Sequence, residues 1–268
     1  MLSAPLSNMR ILHAEMTDVG MKRDKNEDNY LVLPEQNLFA VFDGMGGHAA
    51  GEVASAIAAN EVKEFFRLTA TDEEATWPFK GERDRSYDEN RLMTSVKLAN
   101  ARILEASEEE GGAKRSMGTT AAMVHFVERN GSDPKALVAH VGDSRVYLFR
   151  DGTLQRITVD HSLVEEYLRL GKLTEEQAKN FPQKNIILRA LGQQKVVDIE
   201  LRAIEPRPGD VFLLCSDGLS GMIADEVIRS ILTTTPALDA AAKKLVDAAN
   251  AAGGTDNVTV VLARYEPG

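Results

Sequence analysis

Two kinds of apolar pattern alternate along the chain. Short, nearly unbroken apolar runs bounded by turn residues predict buried strands. They fall at His13–Val19, Asn29–Leu33, Leu38–Phe42, Gly118–Val127, Ala136–Val141, Arg145–Arg150, Thr153–Ile157, Val197–Ile204, Val211–Leu214 and Asn257–Tyr265. Longer segments carry the helical spacing instead. Glu52–Leu68 places Val53, Ala56, Ile57, Val62, Phe65 and Phe66 along one broad face, and Arg91–Glu109 ends in Gly111-Gly112. Ser162–Gly171 and Thr174–Asn180 read as short helices opened by hydroxyl caps, and Ala224–Leu232 and Leu238–Ala252 as a later pair. Thr69–Asn90, polar and acidic, reads as a loop or a loosely ordered excursion. Asn130-Gly131 and Asp151-Gly152 are hairpin signals. Strands thus come in runs and helices in pairs between them, which favours antiparallel sheets with helices packed outside. No repeat or linker divides the chain. The expectation is a single domain over 1–268, with Asp160–Gly192 a helical insertion at the sheet edge.

Three of these strands end in a way that packing does not explain. Phe39-Ala40-Val41-Phe42 runs into Asp43-Gly44, Val211-Phe212-Leu213-Leu214-Cys215-Ser216 into Asp217-Gly218, and Thr255-Asp256-Asn257 opens the last strand. An unpaired carboxylate at the end of an apolar strand is costly. If the strands share sheets the three carboxylates converge, and converging carboxylates need protons or cations between them. Hard divalent ions with oxygen ligands suit such a site.

Composition narrows the class. The formal charge is −10, which disfavours a generic nucleic-acid or anionic-membrane surface. Phosphates remain accessible to an acidic protein only where a local cation reverses the field. The single cysteine excludes an intramolecular disulfide and a cysteine-rich zinc site. Met1–Arg10 lacks a signal-peptide core and no segment is long and apolar enough to span a membrane, so a cytoplasmic location is expected.

The remaining motifs have competing readings. Arg23-Asp24-Lys25-Asn26-Glu27-Asp28 is by itself a charged turn; facing Asp43, Arg23 would offer a fork for phosphate oxygens. Gly44-Met45-Gly46-Gly47-His48-Ala49 fits a dinucleotide fingerprint, but a pyrophosphate would meet Asp43, and Asp217 and Asp256 would go unexplained. Gly142-Asp143-Ser144-Arg145 is good turn chemistry in its own right. Cys215 is not a phosphatase nucleophile of the C-x5-R type, because the required arginine position holds Gly221. His13, His125 and His140 lie in strand patterns and read as structural, and His161 as solvent-facing at the start of the insertion. His48 is the candidate proton donor.

Taken in order, Arg23…Asn26-Glu27-Asp28, Phe42-Asp43-Gly44-Met45-Gly46-Gly47-His48, Ser116-Met117-Gly118-Thr119-Thr120, Gly142-Asp143-Ser144-Arg145, Ser216-Asp217-Gly218-Leu219 and Asp256-Asn257-Val258-Thr259 carry a resemblance. The chain resembles the metal-dependent serine/threonine protein phosphatases of the protein phosphatase 2C family, in their compact bacterial branch. The resemblance implies an α+β fold, a four-layer α-β-β-α sandwich of two mostly antiparallel sheets flanked by helix pairs. It implies two Mn²⁺ or Mg²⁺ ions bridged by Asp43, with the Gly44 carbonyl on one and Asp217 and Asp256 on the other. Glu27 and Asp28 would act through waters, a third ion would sit at Asp143 and Asp217, and Arg23 would bind the substrate phosphate. His48 would be the general acid, although the eukaryotic branch carries its histidine where this chain has Met45. The segment 160–192 would be a flap beside the site. The activity implied is hydrolysis of phosphoserine and phosphothreonine on proteins by metal-activated water, without a phosphoenzyme. The partners implied are phosphorylated proteins and a bacterial serine/threonine kinase with its targets, and the chain is expected to be a monomer. A catalytically idle phosphate-binding regulator and a phosphoesterase for small metabolites are the rival classes.

Overall fold

The computed structural model describes residues 9–46, 50–71, 76–109, 117–128, 133–179, 181–183 and 186–267. Among the described residues eleven strands, numbered in chain order, form two sheets in which every pairing is antiparallel. The first sheet reads, in space, β1 (Met9–Asp18), β11 (Val258–Pro267), β10 (Val211–Cys215), β7 (Arg145–Arg150) and β8 (Thr153–Arg156). The second reads β2 (Asp28–Leu33), β3 (Leu38–Met45), β5 (Ala121–Val127), β6 (Lys135–Val141) and β9 (Glu200–Ile204), with β4 (Gly118–Thr119) beside the far end of β3.

The apolar strand runs are buried on both faces, which is why they do not alternate with polar residues. Their inner faces meet in one layer, where Phe39, Val41, Val124 and Phe126 face Phe212, Leu214, Val261 and Ala263. Phe126 anchors it, edge-on to Phe212 at 5.2 Å and stacked with Tyr265 at 6.4 Å. Truncating a ring so enclosed costs about 3–5 kcal/mol. The outer faces are covered by helices. α1 (Ala50–Thr71) and α2 (Tyr87–Glu109) close the second sheet through Ala54, Ala58, Val62, Phe66, Leu92 and Val96. α6 (Asp225–Thr234) and α7 (Leu238–Ala251) close the first through Ile228, Leu232, Leu245 and Val246. The result is the expected α-β-β-α sandwich.

Some elements depart from the sequence reading. Of Thr69–Asn90, the described residues 76–86 form the expected loop, held in place rather than loose. The ends of the segment belong to α1 and α2, and Ser86 and Glu89 form a capping box, with Ser86 Oγ accepting from Glu89 N–H and the Glu89 carboxylate from Ser86 N–H. Trp77 lies against Phe65 and Tyr87 at 5.6 and 5.1 Å, so the aromatic ring ties the strap to the outer core. The strand expected over Gly118–Val127 breaks at Thr120, whose hydroxyl faces Asp43 and Ser144. Val197–Ile204 shortens to β9. A short helix, α5 (Asp217–Ser220), was not anticipated. The Asp151-Gly152 hairpin forms with both residues at positive φ, 50° and 75°, as its two-residue turn requires. Asn130-Gly131 lies outside the described residues.

Candidate active site

The two sheets meet the solvent at a common end, and the acidic residues gather there by register. Asp28 at the start of β2 is the cross-strand partner of Asp43 in β3. Asp43 does not end its strand as the apolar run suggested; β3 continues to Met45, paired with β4 through Gly44 and Thr119. The Asp43 backbone is fixed on both sides. Its N–H donates to Thr120 Oγ1 at 2.9 Å, and its carbonyl accepts from Thr119 Oγ1 and Thr120 N–H, each at 2.9 Å.

The opposite side is built by the first sheet. β10 delivers Asp217 to the first turn of α5, where the exposed amides favour a carboxylate. Ser216, just before it, donates to Asp28 at 2.7 Å and accepts from Thr259 N–H, so one hydroxyl joins the two sheets. Asn257 performs a second such junction. Its side-chain carbonyl accepts from Glu27 N–H at 2.8 Å, its amide donates to Val19 O and Lys25 O, and its own N–H donates to Asp256. Close backbone approach demands glycine twice. A Cβ on Gly44 would lie 2.2 Å from Gly51 O, and one on Gly218 would lie 1.8 Å from Asn257 O.

The charges in this cleft are not offset by one another. Burial raises the pKa of Asp28 to about 7 and that of Asp43 well above the usual carboxylate range, and neighbouring aspartates push in the same direction. Asp143, on the turn between β6 and β7, is raised to about 7 by burial and by Asp217. Asp217 and Glu27 are raised for the same reason, with Asp256 adding to both. Asp43 is within electrostatic reach of Asp28, Asp217, Asp143 and Asp256, so these five aspartates converge. Asp143 Oδ1 is buried without a hydrogen-bond partner. Among the described residues no three of these carboxylates bring oxygens within 4.8 Å of one another, so they line an opening wider than a closed single-ion cage. An orphaned carboxylate oxygen and a set of hard oxygen donors around such an opening fit more than one Mn²⁺ or Mg²⁺ ion with waters completing the shells.

Arg23 reaches this group from the β1–β2 connection and donates to Asp256 at 2.7 Å, in a half-exposed pair. His48 lies outside the described residues, as do Gly47 and Ala49. The segment 160–192 holds α3 (Leu163–Arg169) and α4 (Glu175–Lys179), and its return through Ile187–Ala190 borders, with Met45 and Gly46, a groove of about 600 Å³ next to the carboxylates. His161 is not solvent-facing. Its ring is buried to 9% exposure beside His140, because its backbone N–H and ring both bond Gly142. Thr120 and Ser216 were missed as supporting residues. Thr120 sits among residues 116–120 of the resemblance, but nothing local announces that it turns out of the ladder.

The model of the family described as "Protein phosphatase 2C" matches residues 21–258. The chain belongs to the protein phosphatase 2C family. As a member it is a serine/threonine phosphatase whose chemistry depends on divalent metal ions. It is 37% identical over 259 residues to the serine/threonine phosphatase stp of Listeria welshimeri, covering 94% of this chain and 95% of that one. The crystal structure of the Mycobacterium tuberculosis serine/threonine phosphatase PstP/Ppp superimposes with a TM-score of 0.81 at 36% identity, over 96% of this chain and 99% of that chain. The PstP catalytic domain in complex with two manganese ions superimposes with a TM-score of 0.76 at 34% identity, over 96% and 99% of the two chains. A serine/threonine protein phosphatase with two manganese ions is therefore a structural neighbour of this chain.

Proposed function

We infer that the cleft hydrolyses phosphoserine and phosphothreonine monoesters with Asp43 and the Gly44 carbonyl as the shared floor of the cation sites, Asp217 and Asp256 as the far wall, and Glu27 and Asp28 acting through waters. Asp143 serves with Asp217 at a third cation position. Bound divalent ions make water nucleophilic near neutral pH and take up charge from the phosphoryl oxygens. Arg23 presents a planar fork at the rim, where exchange of its Asp256 contact for two phosphate oxygens orients the monoester. His48 is the proton donor to the leaving alkoxide.

The observation that supports this reading is the crowding of Asp28, Asp43, Asp143 and Asp217, each with its pKa raised, around an orphaned carboxylate oxygen. Such a cluster is unstable without cations and has no role in packing. The groove along Ile187–Ala190 would receive residues flanking the phosphorylated side chain, with 160–192 acting as a flap on a single domain spanning 1–268. The expected setting is cytoplasmic signalling in a bacterium, as a monomer opposing a serine/threonine kinase. No described helix is long and apolar enough to cross a membrane.

Hydrolysis of p-nitrophenyl phosphate and a phosphothreonine peptide, with Mn²⁺ and then with EDTA, tests the reading. Turnover that needs Mn²⁺ and favours the peptide supports it. Turnover restricted to sugar phosphates would make it a metabolite phosphoesterase. Absence of turnover in metal-loaded protein would leave an idle phosphate-binding regulator.

A further inference from the structure

Beside the Gly142 turn, three side chains outside the aspartate group meet. His140 of β6 and Glu200 of β9 are cross-strand partners, and His161 arrives from the segment after β8. One donor atom from each lies within 4.8 Å of the others. Glu200 Oε1 is held by the Arg202 guanidinium at 2.7 and 2.6 Å, which leaves Oε2 turned toward both imidazoles. It stands 3.5 Å from His161 Nε2 and 3.9 Å from His140 Nδ1, too long for good hydrogen bonds. His140 is 1% exposed, and neither of its ring nitrogens has a hydrogen-bond partner. A buried imidazole with two unsatisfied nitrogens carries a desolvation cost that the fold retains without packing benefit.

We propose that His140, His161 and Glu200 form a site for one late first-row divalent cation of the zinc type, separate from the aspartate centre. Two imidazoles and one carboxylate are a ligand set that holds zinc with a fourth position left for water. Nitrogen donors also select against Mg²⁺, which prefers all-oxygen shells, so the two centres differ in the metal they take. Two of the three ligands are held in the protonation state a cation requires. Burial and the neighbouring His140 hold His161 down at about 4, so its ring is neutral, and the His140 ring and Arg202 hold Glu200 at about 2. Bonds of about 2 Å at a tetrahedral angle set donor atoms about 3.3 Å apart, so separations of 3.5 and 3.9 Å need only a small turn of the Glu200 side chain to close on a cation.

Binding has a defined consequence. Gly142 N–H donates to His161 Nδ1 at 3.2 Å, which places the proton of the neutral ring on Nε2. Ligation through Nε2 moves that proton to Nδ1 and takes away the Gly142 acceptor, while the His161 N–H to Gly142 O bond of 2.8 Å can persist. Gly142, at φ 107°, precedes Asp143, so occupancy loosens one carboxylate of the cleft.

The test uses the full chain with Mg²⁺ in large excess and Co²⁺ as the probe, read by visible absorption without any phosphorylated substrate. One equivalent of Co²⁺ should give the intense band of a four-coordinate site. His140→Gln and Glu200→Gln should each weaken Co²⁺ binding by roughly tenfold or more, and Asp43→Asn should leave the band in place. Glu200 is a quarter exposed, so Glu200→Gln decides the matter even where His140→Gln fails to fold. A wild-type chain without the band, or a band that survives Glu200→Gln and disappears with Asp43→Asn, overturns the proposal.

Discussion

Asp210 and Asp43 are both enclosed aspartates beside strands of the same sandwich, and the fold treats them in opposite ways. Asp210, 2% exposed at the entry to β10, receives a bidentate Arg150 at 2.8 and 2.6 Å and the Arg207 N–H at 2.7 Å. Asp160 is likewise forked by Arg145. Among the described residues no guanidinium bonds Asp43; its neighbours are Asp28, Asp217, Asp143 and Asp256. The chain therefore does have the means to neutralise an enclosed carboxylate with arginine, and uses them at Asp210, at the far end of β10, and at Asp160, but not on the floor of the cleft. Charge left uncompensated at one place, in a fold that compensates it elsewhere, marks where an external cation belongs.

The comparison can be broken most sharply with paired substitutions. Asp43→Asn should lower Mn²⁺-dependent turnover of p-nitrophenyl phosphate by about 10³-fold while raising the melting temperature of the metal-free chain, since it removes a repelled charge. Retained turnover at saturating Mn²⁺ would dissolve the contrast. Asp210→Asn should do the reverse. Stripping one partner from an enclosed pair costs about 3–5 kcal/mol, seen as a lower denaturation midpoint, with kcat of the folded fraction unchanged.

A smaller effect follows from pH. An aspartate whose folded pKa lies above its unfolded value keeps its proton in the fold longer than in the unfolded chain. The stability it contributes is whole below the unfolded value and drains as pH climbs to the folded one. For Asp28 and Asp143 that window runs from about 4 to about 7. The EDTA-treated chain should melt about 5 °C lower at pH 7.5 than at pH 5.5, and Mn²⁺ should abolish the difference. A metal-free chain that is more stable at pH 7.5 would contradict the crowding. The mildest change is Arg23→Ala, which should raise KM for the phosphopeptide about tenfold and leave Mn²⁺ affinity intact. A drop in Mn²⁺ affinity would show that its contact with Asp256 matters more than its contact with substrate.

Much of this was legible in the sequence, for a physical reason. A carboxylate at the end of an apolar strand has no local purpose, so Asp43, Asp217 and Asp256 stand out against the pattern, and strand runs with helix pairs fix the layers. Interactions that depend on register were not legible. Ser216 reaching Asp28, Thr120 leaving its ladder for Asp43, and His140 meeting Glu200 sixty residues later all depend on which residue faces which across strands. His161 was misread because its buried position comes from hydrogen bonds to Gly142, which lies nineteen positions earlier. The aromatic tie of Trp77 to Phe65 and Tyr87 was equally invisible in an acidic stretch.

The contact between Gly218 and Asn257, so close that a single methyl carbon would meet the carbonyl at 1.8 Å, also sets an order of events. β11 lies between β1 and β10, yet it is made after every other strand. A nascent chain still lacking that segment can complete the second sheet and α1, but β1 has no partner and Asp256 has not arrived. Cation affinity then waits on β11, because Asp256 and the partner of β1 arrive together when that strand slots into the middle.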